Sequence, residues 1–140
     1  ASVVLHTYRQ VNETGQMKLF RSHRDEYEDG HQTRDFVYVD DVCDVCMYMM
    51  HHRLTVKSGL YNLGSGKGRT FLDLVKATFY AMGREPHIVF IDTPQDIRDT
   101  YQYFTEADLS KLRETGYTSE FTKLEDGIED YVKNYLDKLK

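Results

Sequence analysis

The run Arg34-Asp-Phe-Val-Tyr-Val-Asp-Asp-Val42 constrains the fold of this chain more than any other stretch. Phe36, Val37, Tyr38 and Val39 are each aromatic or β-branched, which predicts a strand inside a sheet over residues 34–39. Asp40 and Asp41 follow at once, and an aspartate there caps a helix and sets negative charge near its positive end. The predicted helix covers residues 41–53 and carries Val42, Val45, Cys46 and Met49. Arg34 stands at the mouth of the strand. A guanidinium so placed either grips a phosphate or carboxylate through two hydrogen bonds or stands in a solvated ion pair, and the residues alone leave both open.

The rest of the chain alternates in the same way. An amphipathic helix is predicted over residues 2–14, stopped by Gly15, then a short strand over 17–21. Residues 22–33 are polar and acidic, with Asp25, Glu26, Glu28 and Asp29, and read as an exposed loop. A strand over 60–63 ends in Gly64-Ser-Gly-Lys-Gly68. Thr70-Phe-Leu-Asp73 is a capping-box variant opening a helix to residue 82, which Gly83 ends. Another strand is predicted over 87–91, and residues 92–104 lack a period. Thr105-Glu-Ala-Asp108 and Thr122-Lys-Leu-Glu125 are further capping signals. The first predicts a helix ending at Gly116, the second a final helix with Leu124, Ile128, Tyr131, Val132, Tyr135 and Leu136 on one face. The class is α/β, with four short strands that make a thin sheet for such a fold and imply a partner not present in the chain.

The 140 residues suffice for one modest core. A net charge of −5, from 18 basic and 23 acidic residues, argues against a nucleic-acid binder that relies on overall positive charge, though not against a local basic pocket. No apolar run approaches the roughly 18 residues of a membrane span. Cys43 and Cys46 fall within one helical turn and make no disulfide framework, so a reducing, cytoplasmic setting is expected. The first residue is Ala1, and Val3, Val4, Thr7 and Val11 already fall on helical spacing, so either an initiator was removed or the chain is cut from something longer.

Several constellations invite chemistry. Gly64-Ser-Gly-Lys-Gly68 offers backbone N–H groups to an anion, or makes a tight turn; it matches neither G-x-G-x-x-G nor G-x-x-x-x-G-K-[ST]. Cys43, Cys46, His51 and His52 invite a zinc or redox reading, but cysteine also packs as a small hydrophobe, and adjacent histidines on a helix point about 100° apart. There is no G-x-S-x-G, and the six histidines are dispersed. His6, on the first helix, reads by itself as a partly exposed polar residue. Tyr101, in Tyr101-Gln-Tyr-Phe104, either meets a ligand or clasps the neighbouring helix.

Arg34-Asp-Phe-Val-Tyr-Val-Asp-Asp-Val42 resembles the second half of the extended short-chain dehydrogenase/reductases, the NAD-dependent nucleotide-sugar epimerases and dehydratases. Leu60-Tyr-Asn-Leu-Gly-Ser-Gly66 resembles their next landmark, a strand ending in N-x-G-x-G. Tyr101-Gln-Tyr-Phe-Thr-Glu-Ala-Asp-Leu109, then Lys111-Leu-Arg-Glu-Thr-Gly-Tyr117, is similar to a narrower branch, the ADP-L-glycero-D-manno-heptose 6-epimerases. So are Ala1-Ser-Val with His6 following, and Lys18-Leu-Phe20.

The resemblance implies an α/β fold in which residues 1–140 are the C-terminal, substrate-binding portion, lacking most of an N-terminal Rossmann sheet. The G-x-x-G-x-x-G loop and the Y-x-x-x-K pair of the family would lie upstream of Ala1, so this portion is expected to carry no catalytic residue and to be inactive alone. Residues 34–53 would dock on the Rossmann half. That would leave the apolar helix of Cys43, Met47 and Met50 exposed, or covered by self-association into a homo-oligomer. The cofactor implied is NADP, held mainly by the other half, which takes a hydride from C6 of the heptose and returns it to the opposite face. The implied substrate is an ADP-heptose, with no nucleic-acid or membrane partner. By the same resemblance His6 contacts the substrate, Phe20, Arg21, Ser22 and His23 lie along the ADP moiety, Arg34 contacts the diphosphate, and Tyr101 closes the nucleotide side. One departure stands out: residues 22–33 are longer and more acidic than the family pattern. The alternatives are another nucleotide-sugar epimerase or dehydratase, and a non-catalytic nucleotide-sugar binding or oligomerisation module.

Overall fold

The structure, a computed structural model, describes residues 2–139. Helix α1 (Val3–Thr14) begins where the Ser2 hydroxyl accepts the Leu5 N–H and ends at Gly15, whose φ of 75° only glycine adopts without strain. Its buried face, Thr7, Tyr8 and Val11, covers strand β1 (Met17–Phe20). β1 pairs in parallel with β4 (Ile88–Ile91), Met17 opposite Ile88 and Phe20 opposite Ile91. Helices α3 (Phe71–Ala81) and α6 (Leu124–Asn134) pack on each other and close the core around Val11, Leu74, Val75, Phe79, Ile128 and Val132. The α/β class expected from the alternating pattern is what the chain adopts.

The second sheet carries the candidate site. β2 (Thr33–Asp35) runs antiparallel to β3 (Gly68–Thr70), with Arg34 directly opposite Arg69. On its other edge Thr33 donates its N–H to the Tyr103 carbonyl at 2.8 Å and accepts from the Thr105 N–H at 3.2 Å. Helix α2 (Val39–His51) and the short α5 (Ser110–Glu114) share a smaller core of Val45, Leu112 and Tyr117. α4 (Gln95–Arg98) and a 3-10 turn (Leu136–Leu139) complete the chain.

Several expectations are corrected. The strand predicted over 34–39 stops at Asp35; residues 36–38 lie extended without a ladder, and α2 starts at Val39 rather than Asp41. β-branched residues form strands only where a neighbour supplies hydrogen bonds. Residues 60–63 form no strand, and the four strands are two separate pairs rather than one sheet. The capping box predicted at Thr122 is not made: Asp41 takes the Thr122 N–H and hydroxyl at 2.9 and 2.8 Å, while Glu125 pairs with Arg69. The helix predicted from Thr105 begins only at Ser110, whose N–H and hydroxyl bond the Asp108 carboxylate. The box at Thr70 and Asp73, by contrast, is complete.

Candidate functional site

The site grows from the end of β1, from β2, and from the segment that follows α4. β1 delivers Phe20, whose ring meets Tyr101 edge-on at 6.0 Å. β2 delivers Arg34, whose guanidinium carbon lies 5.7 Å from the Tyr101 ring centroid and 5.6 Å from that of Phe71. Tyr101 continues to Tyr103 at 5.8 Å, and Tyr103 carries the Arg24 guanidinium at 4.5 Å. Aromatic faces hold a guanidinium through their quadrupole without neutralising it.

The two arginines facing each other across β2 and β3 differ in charge compensation. Arg69 is ion-paired to Asp73 at 3.2 Å and Glu125 at 2.5 Å. Among the described residues, no carboxylate lies within ion-pair distance of Arg34; one of its N–H groups bonds the Thr33 carbonyl at 2.8 Å. Its positive charge is therefore available to an anion from outside. Burial pushes the Tyr101 phenol above the usual tyrosine range, an effect the nearby Arg34 charge opposes.

The short run after Phe20 is held mainly by the protein itself. Arg21 stands loosely between Asp29 and Asp92 at 3.9 and 3.8 Å. The Ser22 N–H bonds Asp29, and its hydroxyl bonds the Arg24 carbonyl. His23 accepts the Thr93 N–H on Nε2, and its own N–H bonds the Tyr103 hydroxyl. Buried Gln32 reaches the Phe20 and Arg21 carbonyls at 3.5 and 3.4 Å. Of the residues singled out in the sequence, Phe20, Arg34 and Tyr101 converge, and Arg21, Ser22 and His23 form the adjoining wall. His6 stays exposed on α1, and none of the hydrogen bonds, ion pairs or ring contacts seen among the described residues joins it to that group. Phe71, Tyr103 and Gln32 belong to the same surroundings, and nothing local in the sequence marks them.

The glycine-rich loop is not a phosphate cradle in this chain. The Ser65 and Gly66 amides bond Asp35, and the Gly68 amide bonds Glu106 at 2.7 Å, so the N–H groups a dinucleotide would need are already taken. These residues do not fit a dinucleotide. The cysteines of α2 are exposed rather than packed, and His52 stacks on Tyr48. No helix among the described residues is long and apolar enough to cross a membrane. An open apolar groove of about 520 Å³ lies elsewhere, between Val3, Val4, Phe36, Val37, Leu124 and Ile128.

Residues 1–64 match the model of the NAD dependent epimerase/dehydratase family. The chain is 49% identical, over 99% of its length and 43% of the other protein's, to an ADP-L-glycero-D-manno-heptose-6-epimerase of Fusobacterium nucleatum. The likeness to the NAD dependent epimerase/dehydratase family is carried by those first 64 residues. Among solved epimerases, an ADP-L-glycero-D-manno-heptose-6-epimerase of Helicobacter pylori superposes with a TM-score of 0.74 at 28% identity, over 96% of this chain and 37% of that one. A UDP-N-acetylglucosamine 4-epimerase of Methanobrevibacter ruminantium superposes at 0.77 with 17% identity, over 99% of this chain and 40% of that one, and so bears on the fold alone. The chain thus spans about two fifths of the length of the epimerases it matches.

Proposed function

We propose that this chain is the substrate-binding portion of an NADP-dependent epimerase that converts ADP-D-glycero-D-manno-heptose to ADP-L-glycero-D-manno-heptose, a precursor of the lipopolysaccharide core, in the cytoplasm. The observation that carries the reading is Arg34: a guanidinium without a carboxylate partner among the described residues, seated between the rings of Phe71 and Tyr101, with Phe20 beside them. A nucleoside diphosphate needs a cation at its phosphates and apolar faces along its base. Arg34 supplies the first as a planar fork suited to phosphate oxygens, and Tyr101 and Phe20 supply the second. Arg21, Ser22 and His23 shape the adjoining wall, and His6 contacts the sugar region from α1. The Fusobacterium nucleatum relative carries the activity in its name.

In this reading the chain's own residues bind and orient the sugar nucleotide, while the hydride chemistry and its tyrosine and lysine rest with segments outside these 140 residues. Residues 34–53 dock on that remainder. The test is Arg34→Ala in the complete enzyme: KM for the ADP-heptose rises, and an unchanged KM sinks the phosphate role. One observation favours a second reading, a stand-alone nucleotide-sugar binding module: Arg34, Phe20 and Tyr101 meet within this chain alone. Calorimetry of the chain with ADP separates the two, since tight binding favours the module and weak or absent binding the incomplete epimerase.

A further inference from the structure

Asp35 stands next to Arg34 on β2, yet its carboxylate joins no ion pair among the described residues. Its negative charge is met by hydrogen-bond donors instead. Oδ1 accepts the Ser65 N–H and hydroxyl, both at 2.6 Å, and Oδ2 accepts the Gly66 N–H at 2.9 Å and the Ala107 N–H at 3.0 Å. Backbone amides converging on one anion make a strong and directional clamp. The fit is tight: a Cβ on Gly64 would sit 2.5 Å from Oδ2 and 2.7 Å from the Ala107 Cβ.

The clamp joins pieces distant in sequence. Ser65 and Gly66 precede β3, and Ala107 follows the segment that carries Tyr101. That segment is tied to β2 by the Thr33 bonds to Tyr103 and Thr105, and Ala107 adds a third tie on the other side of Arg34. Successive residues of a strand point to opposite faces, so Asp35 holds one face while Arg34 is presented on the other.

We propose that Asp35 is a positioning residue for Arg34, its carboxylate fixing β2 against residues 65–66 and 107 so that the guanidinium and Tyr101 present one anion site. The proposal rests on the reading of Arg34 as a diphosphate contact. Asparagine at this position keeps the size but turns one acceptor into a donor facing N–H groups, so at least one of the amide bonds is lost.

The experiment measures KM and kcat for ADP-heptose in the complete epimerase with Arg34→Ala, Asp35→Asn, and both together. Asp35→Asn is expected to raise KM about tenfold with kcat within about twofold, and the double variant to be no worse than Arg34→Ala alone, because the two act as a unit. If Arg34→Ala leaves KM unchanged, the diphosphate reading fails. If Arg34→Ala raises KM and Asp35→Asn does not, positioning alone is overturned. If the double variant shows the product of the two single effects, Asp35 acts on stability independently of Arg34 and the proposal is again overturned. Should Asp35→Asn fail to fold, Ser65→Ala removes one donor and decides the matter: a rise of about twofold in KM supports positioning, and an unchanged KM overturns it.

Discussion

The Arg34 guanidinium lies 5.7 Å from the centroid of the Tyr101 ring, close enough for its charge to act on the phenol. Burial raises the Tyr101 phenol and Arg34 opposes that rise, since a nearby cation favours the phenolate. Arg34→Ala is therefore expected to move Tyr101 further up. An NMR titration of the tyrosine ring carbons reads it, and a Tyr101 that titrates at the same pH in both proteins refutes the juxtaposition.

Gly64 and Gly15 are both glycines at turns, but alanine is expected to cost differently at each. At Gly64 the new methyl meets the Asp35 carboxylate at 2.5 Å and the Ala107 Cβ at 2.7 Å, so the clamp must open, at about 1–3 kcal/mol. At Gly15 nothing lies within 4 Å, and the cost is only that of a φ of 75°, about 1 kcal/mol. Urea unfolding of the two variants checks the order; a Gly64→Ala protein as stable as the parent refutes the tight fit.

What the sequence revealed follows the range of each interaction. The Thr70–Asp73 box forms because both partners lie within one turn and nothing distant competes. Thr122 and Glu125 carry the same local signal, yet Asp41, 81 residues away, claims the threonine, and Arg69 claims the glutamate. Phe36, Val37 and Tyr38 have strand chemistry, but no described segment offers them a ladder. Tyr38 instead donates its hydroxyl to Asp130 and lies over Gly127, where a Cβ would meet its ring at 3.1 Å. In the site, Phe20, Arg34 and Tyr101 were legible through resemblance to a family, whereas Asp35 was not, because its partners lie 30 to 72 residues away.

Arg69 sets the acid end of the stability curve. Its hydrogen bond holds the Glu125 carboxyl below the usual carboxylate range. Burial works to raise Asp73, but the Thr70 amide and Arg69 outweigh it and keep that carboxyl low too. A carboxyl depressed by folding stabilises fully above its unfolded value, and that contribution is lost as pH falls through the lower folded value. In Arg69→Ala both groups return toward ordinary behaviour, so acid unfolding is expected to begin at higher pH. Circular dichroism against pH reads the midpoint, and identical midpoints contradict the assignment.

The outer side of α2 presents several apolar side chains to solvent. Val39 is 62% exposed, Met47 49% and Met50 64%, with both cysteines exposed beside them. Folded chains rarely leave such side chains together in water, because each buried methylene gains about 0.8 kcal/mol. The isolated chain is therefore expected to bind an apolar dye or to self-associate. Met47→Glu with Met50→Glu places two charges on that face, where neither side chain belongs to the core, so folding survives while dye binding and association fall. Light scattering with dye fluorescence on both proteins decides it. A parent that is already a compact monomer without dye binding refutes the expectation. Association unchanged by the two glutamates places the sticky surface elsewhere, with the open groove of Val3, Phe36 and Ile128 the next to substitute.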